Sequence, residues 1–288
     1  MGLRISTWNI RAAIGPGEPF PPAWWRHVRR DRFERIAGIV AALDADAVLL
    51  QEVAVFNVDG ELFDQPAELA RLTSMSVRYA AAHAFALIEP ETGRTVGSAQ
   101  WGNAILSRRP LQDGFAEGLP FGDDEALVEP EGSVAPLAGV TFLDAPYGTR
   151  EPRCVLGGTL EHGGVGITVA GTHLSYAGSA QRERQAAALG ALTDDLATRV
   201  TGGRVVVGGD FNAAIEDPEL VPLARNFKDA FSLVEIRPGD RRRASAGLNR
   251  IDHLLSRGLR ALDCRVVTEA GDASDHLPVV ATFATFAL

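Results

Sequence analysis

The sequence predicts an α+β fold in which one β-sheet packs on another and helices lie outside. Three observations carry this. Short apolar runs rich in Val, Ile and Thr, bounded by turn residues, outnumber the helical segments. The helical segments fall between strands, where they can cover a sheet. A strand–helix–strand succession near the start also returns between residues 166 and 212.

The first predicted strand is LRISTWNI (3–10). RDRFERIAGIVAAL (30–43) then sets Phe33, Ile36, Ala37, Val40 and Leu43 on one helical face with charges opposite. AVLLQEV (47–53) and NAILSR (103–108) are the next strands. Residues 112–136 are acidic and broken by Gly and Pro, and read as a long loop or lid. After the strand GITVAGTHL (166–174), SAQRERQAAALGALTDDLAT (179–198) is a helix by propensity, with Leu189, Leu192 and Leu196 recurring at three and four. RVVVGGDFN (204–212), IDHLLS (251–256), CRVVT (264–268) and LPVVATFA (277–284) complete the strands.

At 288 residues the chain can bury one large core or two modest ones. Its 46% hydrophobic and 23% charged residues are ordinary for a soluble protein. It has no apolar run long enough to span a bilayer and no recognisable signal segment, so a cytoplasmic protein without stable membrane insertion is expected. Cys154 and Cys264 are expected to be reduced core thiols. The net charge of −9 argues against strong nonspecific binding to nucleic acid, which needs a basic face. It leaves open a metal enzyme acting on phosphates, because bound divalent cations reverse the local field. AWWRHVRRDRFER (23–35) and DRRRA (240–244) offer tryptophans and arginines that could track phosphates, but they read better as solvated surface.

Polar residues interrupt the apolar runs at their ends. Asn9 closes the first strand, and Gln51 and Glu52 close the second. Asn103 opens its strand, His173 ends another, and Asp210 and Asn212 end RVVVGGDFN. Asp252 and His253 open IDHLLS, while Asp275 and His276 precede the last strand. Each alone has an ordinary reading as a turn former or a bonded core residue. Together they suggest one polar mouth where strand ends converge. Oxygen ligands without a cysteine cluster suit a hard cation, Mg²⁺ or Mn²⁺, rather than structural zinc. Histidines are then free to act as acid, base or phosphate donors.

The motifs TWNI, LLQEV, WGNAILSRRPL, REPRCV, GTHLS, GGDFN, RIDHLLS and SDHLPV stand in the order found in the endonuclease/exonuclease/phosphatase superfamily, which this chain resembles from Asn9 to His276. The resemblance implies one catalytic domain over 1–288, a four-layered αββα sandwich with two mainly antiparallel sheets face to face, and a site at the strand-end loops. It implies Glu52 as principal metal ligand, with Asn9 close to metal and phosphate and Asp275 helping the metal or its water shell. It implies His276 as the base that activates water, Asp252 as its carboxylate partner, and Asp210 and Asn212 positioning nucleophile and phosphate. His173 would donate to a phosphoryl or leaving oxygen, and Asn103 and Arg153 would lie among the substrate-binding residues, with Arg153 also structuring the site. The expected activity is metal-dependent phosphodiester hydrolysis of a small molecule or nucleic acid, with no obligate protein partner. A DNase I-like or abasic-site nuclease, and an inactive phosphate-binding module on the same fold, are the alternatives.

Overall fold

The structure is a computed structural model that describes residues 2–18, 23–120, 152–176, 178–200 and 202–285. Among these, thirteen strands follow in chain order. They are β1 (Leu3–Asn9), β2 (Ala47–Val58), β3 (Glu61–Asp64), β4 (Ser76–Ile88), β5 (Thr95–Ser107), β6 (Gln112–Leu119) and β7 (Arg153–His162), then β8 (Val165–His173), β9 (Val205–Asp210), β10 (Lys228–Asp229), β11 (Asp252–Arg257), β12 (Arg260–Val266) and β13 (Val279–Ala284). The helices are α1 (Arg30–Ala42), α2 (Gln65–Thr73) and α3 (Ser179–Arg199), with two single turns, α4 (Val221–Ala224) and α5 (Ala230–Leu233).

One sheet runs β12-β13-β1-β2-β5-β4, with β3 added beside β2, and the other runs β10-β11-β9-β8-β7-β6. Only β1 with β2 and β8 with β9 pair in parallel. These are the pairs whose connections contain α1 and α3, because parallel neighbours need a crossover that a helix can supply. The strand–helix–strand rhyme is therefore real, and each sheet contains one copy of it.

Three apolar layers separate four layers of structure. Leu3, Ile5, Leu49, Ile105, Leu156 and Val169 pack between the sheets. Trp8, Phe33, Ile36, Val40, Leu50 and Phe56 pack on the outer side of the first sheet, against α1. Ala186, Leu189, Val205, Val207, Phe211 and Leu223 do the same for the second sheet beneath α3. The chain is thus the expected sheet-on-sheet sandwich with outer helices. Gly208 shows how closely the sheets approach. A Cβ there would lie 2.6 Å from the Leu254 side chain and 2.8 Å from that of Leu49.

Both predicted helices form within a residue of their predicted ends, because each has an apolar stripe to bury. In α3, Leu189 and Leu196 are buried but Leu192 only partly. Three expectations need correction. Residues 112–119 form β6 rather than a loop, and 121–136 lie outside the described residues. Charged and glycine-rich, β6 is an edge strand, and edges carry such residues to block further pairing. Trp24 is core, not solvated surface, with its ring 4.9 Å from Trp101 and 5.2 Å from Phe56. Within DRRRA, Arg241 and Arg242 are exposed as expected, but Arg243 is buried against Asp229 at 2.6 Å. Both cysteines are buried and free, as expected. No helix among the described residues is long and apolar enough to cross a membrane.

Candidate active site

Each parallel pair carries half of the site. In the first sheet Asn9, the last residue of β1, pairs with Gln51 of β2. In the second, His173 pairs with Asp210 and Asp210 with Asp252, so residues far apart in sequence occupy neighbouring rungs. Asn9 ties the halves together. Its Nδ2 donates to Glu52 Oε1 at 2.9 Å and to Asp210 Oδ2 at 3.2 Å.

Glu52 sits where the β2–β5 register slips, between Leu50 and Val53, and its φ is +53°. A left-handed glutamate in a bulge costs on the order of 1–3 kcal/mol and re-aims a side chain, which is why such bulges gather at sites. A second strained turn follows Asn9. Arg11, Ala12 and Ala13 have φ of +48°, +47° and +64°. Both irregularities free backbone groups from normal pairing, and buried Gln65 takes up one from each. Its Nε2 donates to Ala12 O at 2.8 Å, and its Oε1 accepts from Ala54 N at 3.0 Å. Gln65 is held in place at the start of α2 by Asp64, whose side chain accepts from Ala67 N.

His276 stands opposite. Its Nδ1 is 2.8 Å from Asp252 Oδ2, and its Nε2 is 3.7 Å from Asp210 Oδ2. The loop carrying it is pinned twice. Trp8 Nε1 donates to His276 O at 2.9 Å, and Ser274 Oγ donates to Asn9 O at 2.8 Å. Burial opposes protonation of His276, but Asp252 and Asp210 outweigh it and hold the ring well above the usual histidine range. Burial pushes Asp210 up to about 6, with His276 opposing and Asp252 reinforcing the shift.

His173 has different company. Arg153 Nη1 lies 3.0 Å from its Nδ1, while Nε2 faces Asn212 Nδ2 at 3.0 Å and Asp210 Oδ2 at 3.4 Å. Burial, then Arg153, pushes His173 well below the usual range. Asn212 is left-handed at φ +50°, with its backbone N–H on Asp210 Oδ1 at 2.9 Å and its side chain donating to Leu174 O.

The sequence-predicted residues Asn9, Glu52, His173, Asp210, Asn212, Asp252 and His276 therefore form one connected group. Asp275 is half-exposed and points to Arg11, with 3.4 Å between Arg11 Nε and Asp275 Oδ2. Asn103 is buried and donates to Cys154 O at 3.0 Å, and Arg153 is buried behind His173. Three contributors escaped the sequence reading. Arg11 donates its backbone N–H to Asn9 Oδ1 at 3.0 Å, Trp8 pins His276, and Gln65 braces the bulge. Of these only Gln65 had a signal, since Asp-Gln-Pro is a helix-start pattern.

A divalent cation fits the donor set. Asp252 Oδ1 is buried without a hydrogen-bond partner, and the ligand-type atoms of Asp210, Asp252 and His276 lie within 4.8 Å of one another. Two carboxylates meet one imidazole there, and a hard cation held beside them by oxygen donors would offset the remaining negative charge. Beside Asn212 opens a cleft of about 370 Å³, lined by Asp217, Leu248, Asn249 and Arg250 among others. Its arginine is neutralised, since Arg250 Nη2 bonds Glu216 Oε1 at 2.8 Å.

Strand-end acids and histidines at the mouth of a two-sheet sandwich define a class of phosphoester hydrolases, and the comparisons agree. The chain belongs to the endonuclease/exonuclease/phosphatase family, whose sequence model matches residues 6–276. No curated protein sequence matches it. Among solved structures it is similar to an endonuclease/exonuclease/phosphatase from Beutenbergia cavernae DSM 12333 (22% identity, TM-score 0.64, covering 98% of this chain and 71% of that one). It is similar also to a mannosyl-6-phosphatase from Bacteroides thetaiotaomicron VPI-5482 (16%, TM-score 0.66, 98% and 99%). A third is the human Nocturnin catalytic domain with bound sulfate (18%, TM-score 0.66, 98% and 93%).

Proposed function

We propose that the chain is one catalytic domain that hydrolyses a small phosphodiester with the help of Mg²⁺ or Mn²⁺. The observation that carries this is the Asp252–His276 dyad facing Asp210 across from the Asn9–Glu52 pair. Glu52 and Asn9, with Asp275 nearby, would hold the cation. When bound, it supplies polarisation of a phosphoryl oxygen and offsets the carboxylates that otherwise keep His276 protonated.

The chain's own residues supply the rest. Asp252 accepts a hydrogen bond from Nδ1–H of neutral His276, leaving the Nε2 lone pair to take a proton from the attacking water. Asp252 then stabilises the imidazolium. Asp210 and Asn212 orient water and phosphate, and His173 donates to a phosphoryl or leaving oxygen. A small substrate is favoured by the net charge of −9 and by the pairing of Arg250, in the cleft beside Asn212, with Glu216.

The test is hydrolysis of bis-p-nitrophenyl phosphate by wild type and His276→Ala with Mg²⁺, Mn²⁺ or EDTA. Metal-dependent turnover that falls at least about a hundredfold in the variant is expected. Equal activity in both proteins would remove His276 as the base. Turnover that survives EDTA would remove the cation.

A further inference from the structure

We infer that His253 is a positioning residue: backed by Asp229 and Arg243, it fixes the turn that presents Asn212 to the reacting phosphate. What Asn212 does there rests on the function proposed above; its support by His253 does not.

Successive residues of β11 point to opposite faces of their sheet. Asp252 and Leu254 share the face toward the other sheet, where Leu254 is core. His253 and Leu255 share the outer face, where Leu255 packs with Phe211 and Ala213. One strand thus serves the site from both sides. Asp252 reaches His276 at the mouth, and His253 lies behind the loop that leaves β9.

That loop turns at left-handed Asn212 and carries Ala213 into the core, where a backbone carbonyl needs a donor. The donor is His253 Nε2, 2.9 Å from Ala213 O. A carbonyl oxygen only accepts, so this contact puts a proton on Nε2 whatever the charge of the ring. Asn212 is also held by its backbone N–H on Asp210 Oδ1 and its side chain on Leu174 O. On the exit side of the turn, Ala214 N reaches only Asp217, three residues on. Of these ties, the His253 bond is the one that joins the exit side to the sheet.

The ring is held in turn. Its centre lies 5.5 Å from that of Phe211, and its Nδ1 is 3.7 Å from Asp229 Oδ1. Neither of those two atoms has a hydrogen-bond partner, and 3.7 Å is too long for one, so the carboxylate acts on the ring by electrostatics. Asp229 is fixed through its other oxygen. Oδ2 accepts from Arg243 Nη2 at 2.6 Å and from Ser232 N and Oγ at 3.1 Å each. Arg243 and Asp229 are both buried, and separating them would leave two uncompensated charges. Arg243, the buried member of DRRRA, thus acts on the site through Asp229 and His253.

The experiment combines hydrogen exchange at the Asn212 backbone amide with hydrolysis of bis-p-nitrophenyl phosphate. His253→Phe keeps a ring beside Phe211 and removes the donor, whereas His253→Gln keeps a donor near the place of Nε2. In His253→Phe the Asn212 amide is expected to exchange about fivefold faster, the scale of one lost hydrogen bond. Its kcat is expected to fall about tenfold with KM changing much less, as for a residue that orients another. His253→Gln is expected to restore most of both. In an Asn212→Ala background, His253→Phe is expected to cost kcat nothing further, because the residue it positions is gone. Unchanged exchange in His253→Phe, a glutamine no better than phenylalanine, or the same loss of kcat in the Asn212→Ala background overturns the inference. If His253→Phe does not fold, a ¹H–¹⁵N spectrum of the wild type decides. An Nε2–H proton of His253 that persists in water is expected, and a bare Nε2 overturns the assignment. Absence of hydrolysis by wild type, with faster Asn212 exchange in His253→Phe, would sink the proposed function and leave this support standing. Metal-dependent hydrolysis, with exchange and kcat indifferent to His253, would do the reverse.

Discussion

His276 and His173 approach the same oxygen of Asp210, at 3.7 and 3.4 Å, yet they are held from behind by partners of opposite charge. Asp252 stands behind one and Arg153 behind the other. The carboxylate draws a proton to the remote nitrogen and raises the affinity of the ring for a second one. The guanidinium repels a proton from the remote nitrogen and, with burial, keeps the ring neutral. Identical side chains thus acquire opposite shifts in proton affinity from the partners behind them.

The largest test of this difference is Asp252→Asn. An amide would hold His276 in the wrong tautomer, and kcat is expected to fall by about 10³–10⁴, the scale seen when a dyad carboxylate becomes an amide. A loss below tenfold in single-turnover hydrolysis would mean that Asp252 does not set the proton on His276. Next come paired glutamine variants. His173→Ala is expected to lose about a hundredfold in kcat, the cost of one donor to a charged oxygen. His173→Gln keeps a donor and should recover much of that loss, whereas His276→Gln should remain as inactive as His276→Ala. Equal behaviour of the two glutamine variants would erase the distinction.

Gln65→Leu tests the frame rather than the rings. It leaves Ala12 O and Ala54 N without their buried partner. Two such groups are worth about 3 kcal/mol together, measurable as a lower urea midpoint. The metal concentration needed for half-maximal activity should rise with it, because the bulge that aims Glu52 loses its brace.

The smallest expected effect lies in the pH dependence of stability, followed by urea unfolding in EDTA. His276 is raised in the folded state, so its contribution is complete below the unfolded histidine range near 6.5 and is lost as pH rises through its folded value. His173 is lowered, so the unfolded chain binds the proton first and stability falls as pH drops below about 6.5. His83, lowered to about 3, adds a slope of the same sign on the acid side. His276→Gln should chiefly flatten the alkaline limb, with a smaller change on the acid side because His276 also lowers His173 and Asp210. His173→Gln should reduce the acid limb and leave the part due to His83. Any other pairing of variant and limb would contradict the charge arrangement behind the two rings.

Much of this was legible in the primary structure. Apolar periodicity marked α1, α3 and most strands that reach the site, and seven of the predicted polar residues meet there. β4 and β7 were passed over because alanine and glycine blur the alternation that identifies a strand, as in SVRYAAAHAFALI and RCVLGGTLEH. β6 was read as a loop because an edge strand needs little apolar character. Gln65 was missed because an amide among loop residues looks solvated until its two backbone partners are brought beside it.

The sequence by itself determined which residues end their strands in polar groups and which helix faces are apolar, because those properties are local and periodic. The tertiary structure alone decided the partnerships. That Asp252 backs His276, that Arg153 backs His173, and that Asn9 reaches both Glu52 and Asp210 depend on strand register and on two sheets meeting face to face. These contacts join residues 20 to 201 positions apart. Only the packed sandwich sets their distances, and on distance depends how strongly each buried ring holds a proton.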